Sequence, residues 1–143
     1  MSGALHRLIS LAIVGLVAVA AVGCSGSGST KRAERTVRVT ERDFRIVAPK
    51  RVRRGDVTLS VRNKGPVHHE LILVRRRGGE LPLRGDDLTV DEDGLGSAVV
   101  AALEPESPGV HEIKAHLTPG RYELICNMSG HYMGGMEADM VVQ

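Results

Sequence analysis

The sequence predicts an all-β protein: an antiparallel Greek-key β-sandwich interrupted by one long loop with room for a short helix. Two observations carry that expectation. Apolar and polar residues alternate with a period of two in several short segments, the signature of strands with one face on a core. Clusters of Gly, Pro, Asn and Asp separate those segments, as they do where strands turn back. Short strands at such spacing favour two packed sheets.

Taken in order, the first segment lies outside that sandwich. Residues 1–7 carry one firm positive charge, Arg7, and residues 8–22 are an unbroken run of apolar, Gly and Ser residues. Ala21-Val22-Gly23 then leads into Cys24. This is the layout of a cleaved secretory signal over residues 1–23, and the run is short for a membrane span of about 20 residues. Small residues directly before a cysteine resemble the lipobox of bacterial lipoproteins, although Ala21 stands where leucine is usual. That resemblance implies a lipid anchor on Cys24 and a mature chain outside the cytoplasm. It would sit on the outer face of the bacterial cell membrane as a lipoprotein, or be secreted or periplasmic. The following "SGSGSTKRAER" is a solvated Gly/Ser tether, residues 24–35. The folded domain is expected over residues 36–143, long enough for one core.

Within that domain Val37 and Val39 alternate with Arg38 and Thr40, and Val57, Leu59 and Val61 with Thr58, Ser60 and Arg62. Arg54-Gly55-Asp56 and Asn63-Lys64-Gly65-Pro66 read as turns on either side of the second strand. In "HHELILV" His69, Leu71 and Leu73 share one parity and His68, Glu70, Ile72 and Val74 the other. Residues 76–109 form the long loop, rich in Gly, Pro and acids, and the apolar island at 98–103 is expected to make a helical turn or two. The acids Asp86, Asp87, Asp91, Glu92 and Asp93 lack the spacing of a calcium loop and read as solvated. Ile113, Ala115 and Leu117 mark another strand, closed by Thr118-Pro119-Gly120. Tyr122, Leu124 and Cys126 then share a face opposite Glu123 and Asn127, and Met136, Ala138, Met140 and Val142 share a face in the last strand.

Charge says little about partners. Of 19 basic and 17 acidic residues, four basic ones (Arg7, Lys31, Arg32, Arg35) and one acidic one (Glu34) precede the domain. What remains is near neutral and gives nucleic-acid binding no support. The basic clusters Lys50-Arg51-Arg53-Arg54 and Arg75-Arg76-Arg77 read as solvated edges or turns. Cysteine usage is more telling. With Cys24 carrying lipid, Cys126 is the one remaining thiol of the two, in an oxidising compartment and with no disulfide partner.

Cys126 opens "CNMSGHYMGGM", which concentrates a thiol, an imidazole and three of the chain's five methionines in eleven residues. Parity points Cys126 inward from the end of one strand and Met136 inward from the start of the next, with His131 on the loop between. His69 opens another strand on the inward Leu71/Leu73 face. His68 stands beside it as a competing donor. A thiolate, two imidazoles and a thioether can therefore meet at one end of the sandwich, a set that selects copper over calcium or magnesium and describes a mononuclear type 1 site. Met128 and Met133 are further sulfur donors in the same loop. His111 and His116 read as surface residues and Tyr122 as structural.

The stretch "YELICNMSGHYMGGMEADMVV" resembles the last two strands and ligand loop of the cupredoxins, the small blue copper proteins that include plastocyanin, azurin and rusticyanin. The C-x4-H-x4-M spacing of Cys126, His131 and Met136 is nearest the rusticyanin pattern. Upstream, "NKGPVHHELILV" resembles the N-x-G-x3-H segment in which the first histidine ligand opens a strand, and the count from Asn63 reaches His69. The resemblance spans residues 37–143, weakly before Asn63. It departs at Glu70, where Asn is usual and ties the ligand loops together, and in having Phe44, Tyr122 and Tyr132 as its only aromatics.

The resemblance implies one copper ion held by His69, Cys126, His131 and Met136, and a carrier of single electrons rather than an enzyme. A redox protein would dock transiently where His131 reaches the surface, near Pro66, Val67, Met133 and Gly134-Gly135. Multicopper oxidases and copper nitrite reductases need ligands or domains that this chain is too short to supply, and a dinuclear centre needs a second cysteine in the loop. A copper-sequestering or copper-delivering protein is the rival reading, and a metal-free fold used for protein contact a third. Nothing in the sequence demands more than a monomer.

Overall fold

The computed structural model describes residues 34–143; the signal segment, Cys24 and most of the tether lie outside the described residues. Among the described residues nine strands form two sheets. They are β1 (Arg35–Arg42), β2 (Arg45–Val47), β3 (Arg51–Val52), β4 (Gly55–Asn63), β5 (His69–Arg75), β6 (Val99–Glu106), β7 (Gly109–Leu117), β8 (Gly120–Ile125) and β9 (Glu137–Val142). One sheet has the order β2-β1-β4-β7 and the other β3-β9-β8-β5-β6. Among the described residues, no helix is long and apolar enough to cross a membrane.

The alternation seen in the sequence is what closes the sandwich. Val37 and Val39 from β1, Val57, Leu59 and Val61 from β4, and Leu117 from β7 face Leu71, Leu73, Tyr122, Leu124, Met140 and Val142 across one core. Cys126 and Met136 belong to that same core. Tyr122 locks the turn before β8: its hydroxyl donates to the Thr118 carbonyl at 2.8 Å and accepts from the Thr118 N–H at 3.1 Å.

Three features differ from the expectation. The sheets are mixed rather than purely antiparallel, because β1 runs parallel to β4 and β3 parallel to β9. The apolar island is mostly a strand: β6 pairs antiparallel with β5, whose edge it covers. The short helix lies just before it, α1 (Glu92–Leu95), followed by one 3₁₀ turn, Gly96–Ala98. Third, Glu123 and Asn127 are buried rather than solvated. Residues 81–98 fold across the outer face of the second sheet and bury Leu81, Val90, Leu95 and Ala98 against Ile72, Val74 and Ile125. The run Leu71-Ile72-Leu73-Val74 is apolar at both parities because β5 is covered on both sides.

Glu41, near the end of β1, is a buried carboxyl whose Oε1 has no hydrogen-bond partner among the described residues. Burial, reinforced by the charge of Glu70, pushes it from its ordinary 4.5 up to about 7. The folded chain therefore keeps a proton that the unfolded chain releases. This contribution to stability is full below about pH 4.5 and is lost as pH rises through about 7. Glu41→Gln should leave metal-free stability at pH 4.5 little changed. At pH 8 it should raise stability by roughly 1–3 kcal/mol, since each tenfold difference in proton affinity between folded and unfolded chain is worth ~1.4 kcal/mol. Urea unfolding at the two pH values checks this; an equal gain at both would refute the ionisation argument.

Candidate metal centre

Three chain segments deliver side chains to one end of the core. The first is the turn after β4. Asn63 is buried there, accepting from the Gly65 N–H at 2.9 Å and donating to the carbonyls of Val67 at 2.8 Å and Glu106 at 3.1 Å. This fully used amide shapes the turn and sets the register in which β5 begins. His69 consequently points into the core, 1% exposed, while His68 faces solvent.

The second segment is the end of β8, from which Cys126 continues the buried Tyr122/Leu124 face. The third is the loop that follows. Its turns are closed by N–H donation from His131 to Met128 at 2.8 Å, from Gly134 to Gly130 at 2.9 Å and from Gly135 to Tyr132 at 2.9 Å. Gly135 has φ 90°, a conformation that side chains strain to adopt. The loop then closes on its own ends: the Met136 N–H donates to the His131 carbonyl at 2.9 Å and the Cys126 N–H to the Met136 carbonyl at 3.1 Å. Met136 is completely buried.

The closure brings one atom each from His69, Cys126 and His131 within 4.8 Å of one another. Cys126 Sγ lies 3.9 Å from His69 Nδ1 and 3.4 Å from His131 Nδ1. A thiolate at ~2.3 Å and an imidazole at ~2.0 Å from one first-row ion, spread at 120°, stand roughly 3.7 Å apart. The two observed separations bracket that value, so the thiol is spaced from each imidazole as donors to a single ion would be.

Burial shapes the electrostatics. It pushes the Cys126 thiol up to about 11, although the backbone N–H groups of Met128 and Glu70 pull the other way. It also holds His69 below the usual histidine range, helped by the neighbouring His131 and opposed by Asp43. A neutral imidazole keeps the lone pair that a metal needs.

Of the expected site residues, His69, Cys126 and His131 converge directly and Met136 is bound to two of them through the backbone. Met128 is half-buried against the core, and Met133 is 53% exposed. His111 and His116 lie on β7 and pair with Glu106 and Asp56. Asp86 caps its own turn, accepting from the Leu88 N–H at 2.9 Å. Four supporting residues carry no signal that parity or composition could expose. Asn127 holds the ligand loop to residues 81–98, accepting from the Val90 N–H at 2.6 Å and donating to the Val90 carbonyl at 3.1 Å and to Glu92 at 2.8 Å. Glu70, the departure from the expected Asn, has its carboxyl against the Asn127 backbone N–H and so still faces the ligand loop. Asp43 and Phe44 reach the two histidines from the β1–β2 turn.

No protein-family model matches the chain, and no curated protein matches it by sequence. Solved structures do. Dithionite-reduced auracyanin from the photosynthetic bacterium Roseiflexus castenholzii superposes with a TM-score of 0.60 at 23% identity, covering 78% of this chain and 98% of that one. Auracyanin A from Chloroflexus aurantiacus, described as a "blue" copper protein, gives 0.55 at 23% identity, covering 76% and 98%. Rusticyanin from Thiobacillus ferrooxidans gives 0.52 at 18% identity, covering 78% and 79%. The chain has the cupredoxin fold. In that fold the convergence of His69, Cys126 and His131 occupies the end of the sandwich where β5, β8 and the loop before β9 meet.

His69→Ala should abolish tight binding of a thiophilic ion such as cobalt(II), followed by thiolate-to-metal absorption. His68→Ala should leave the affinity within about twofold, as expected for a surface side chain outside the site. Equal losses in the two variants would reopen the assignment.

Proposed function

We propose that this chain is a mononuclear type 1 copper protein that carries single electrons between redox partners outside the cytoplasm. One observation carries the reading: a buried thiol and one ring nitrogen from each of two imidazoles converge within 4.8 Å. The fully buried Met136 thioether lies at the end of the same loop. Thiolate and thioether sulfur with imidazole nitrogen is the donor chemistry that copper favours. Copper held there supplies one-electron chemistry by alternating between its cuprous and cupric forms.

The chain's residues do the remainder. Cys126 would hold the ion as thiolate, which requires loss of its proton. His69 and His131 would supply the two nitrogen donors and Met136 a second sulfur. His69, Cys126 and Met136 are sealed from water, so the donor set has little room to rearrange between oxidation states. His131 is the partly exposed ligand, and Val67, Met133 and Phe44 lie exposed at the same end. That makes His131 the exit for the electron and its apolar surroundings the docking face for a redox protein, in a small and brief contact. A lipid on Cys24 and the tether to residue 35 would hold the monomeric domain off the membrane surface. The closed donor set favours carriage over delivery, because a delivered ion needs a ligand that an incoming partner can displace.

The protein with one equivalent of copper(II) should show an intense thiolate-to-copper visible band and narrow copper hyperfine splitting. Both should vanish in Cys126→Ser, and voltammetry should cycle one electron reversibly with copper retained. A weak, ordinary copper(II) spectrum unaffected by the substitution would sink the type 1 reading. Loss of copper on each reduction would favour delivery.

A further inference from the structure

We propose that the two-residue turn Asp43-Phe44 is a clamp that presets both histidine ligands, Asp43 fixing the tautomer of His69 and Phe44 holding the ring of His131. The pairing of Arg42 with Arg45 leaves these two residues as the whole turn between β1 and β2. Asp43 Oδ1 lies 3.2 Å from His69 Nε2. A carboxylate only accepts hydrogen bonds, so Nε2 carries the proton and Nδ1 keeps the lone pair. Nδ1 is the atom that faces Cys126 Sγ at 3.9 Å. On the other side of the turn, the Phe44 ring lies 5.2 Å from the His131 ring, tilted by 54°. The rings of His131 and His69 are themselves 5.2 Å apart at 60°, so the His131 ring lies against both Phe44 and His69.

Two glycines make room for the clamp. A β-carbon on Gly65 would lie 2.7 Å from Asp43 Oδ1 and 2.8 Å from His69 Nε2. A β-carbon on Gly134 would collide with Phe44 Cδ1 and lie 2.6 Å from Cε1. Neither glycine is among those with positive φ, so the space is what each supplies. Phe44 is held at φ 56°, a rare conformation for a bulky residue, and is 54% exposed. Strain and exposure together are a poor arrangement for an aromatic that only packs, and such strain persists where a site uses it.

Asp43 and Phe44 are positioning residues: they act on the metal through the two imidazoles. The affinity readout rests on the copper reading, but the tautomer readout does not. In the metal-free protein, long-range ¹H–¹⁵N NMR should find His69 wholly in the Nε2–H form. Asp43→Ala should introduce a substantial Nδ1–H population, and Asp43→Asn, which keeps an acceptor oxygen, should restore the parent tautomer. Asp43→Ala and Phe44→Gly should each weaken copper(II) binding about tenfold, as loss of a partner to a metal-bound histidine does. Phe44→Gly should meanwhile leave the thermal midpoint unchanged or raised, because glycine accepts the turn's backbone without strain. An unchanged tautomer in Asp43→Ala, or a lowered midpoint with unaltered affinity in Phe44→Gly, would overturn the clamp. If the parent protein binds no copper, the copper reading falls, and the tautomer comparison still decides whether the turn presets His69.

Discussion

The constraint on which the structure turns is the closure of residues 126–136 upon themselves, with both ends, Cys126 and Met136, buried in an apolar core. A loop there cannot leave its backbone N–H and C=O groups unpaired, since each buried orphan costs about as much as a lost hydrogen bond. The chain meets this by bonding Met136 N–H to the His131 carbonyl and Cys126 N–H to the Met136 carbonyl. The bonds that satisfy the backbone are the same ones that gather the side chains. Cys126, His131 and Met136 are therefore neighbours before any metal arrives, and only His69 has to come from elsewhere.

Keeping that end dry requires cover on both faces of the second sheet. The inner face is closed by the first sheet. The outer face would be open in a bare sandwich, and residues 81–98 fill it with Leu81, Val90, Leu95 and Ala98. This segment is fastened to the ligand loop rather than only resting on the sheet: Asn127 pairs with both backbone groups of Val90, and the Gly130 N–H donates to the Leu88 carbonyl at 3.1 Å. A side-chain amide here does what a neighbouring strand would do. Loosening the excursion would free the loop's outer edge, so the long irregular segment is part of the site's support.

How much of this is legible in the sequence depends on whether a feature is local. Strand parity is local, and it puts His69, Cys126 and Met136 on the inward faces where the structure has them. The soft-donor spacing is local too, and it marks the loop. What one face of a strand meets at a distance is not local. Glu123 and Asn127 look like the wet side of β8 because nothing nearby announces that residues 81–98 will cover them. The island at 98–103 looks helical in isolation, and becomes β6 because β5 offers an edge. Asp43 and Phe44 are harder still: a short turn about twenty-five residues before His69 and nearly ninety before His131 carries no motif, and the parallel run of β1 beside β4 brings it to the site.

The distribution of exposure among the four donors bears on what the site is for. A site that passes its ion to another protein must offer a donor that can be exchanged stepwise, with solvent or partner entering as the first bond breaks. Here His69 is held at its far nitrogen by Asp43, Cys126 has no exposed surface, and Met136 is tied by its backbone to two other donors. The soft donor that does reach solvent, Met133, lies at the rim, three residues from Met136 and turned away from the core. His131 is the remaining opening, and its ring is covered on one side by Phe44 and on another by His69. Such an enclosure hinders ligand exchange far more than electron passage, because an electron needs a short path to a partner and no displaced bond. The physical asymmetry between moving an ion and moving an electron is thus what the proposed carrier role rests on.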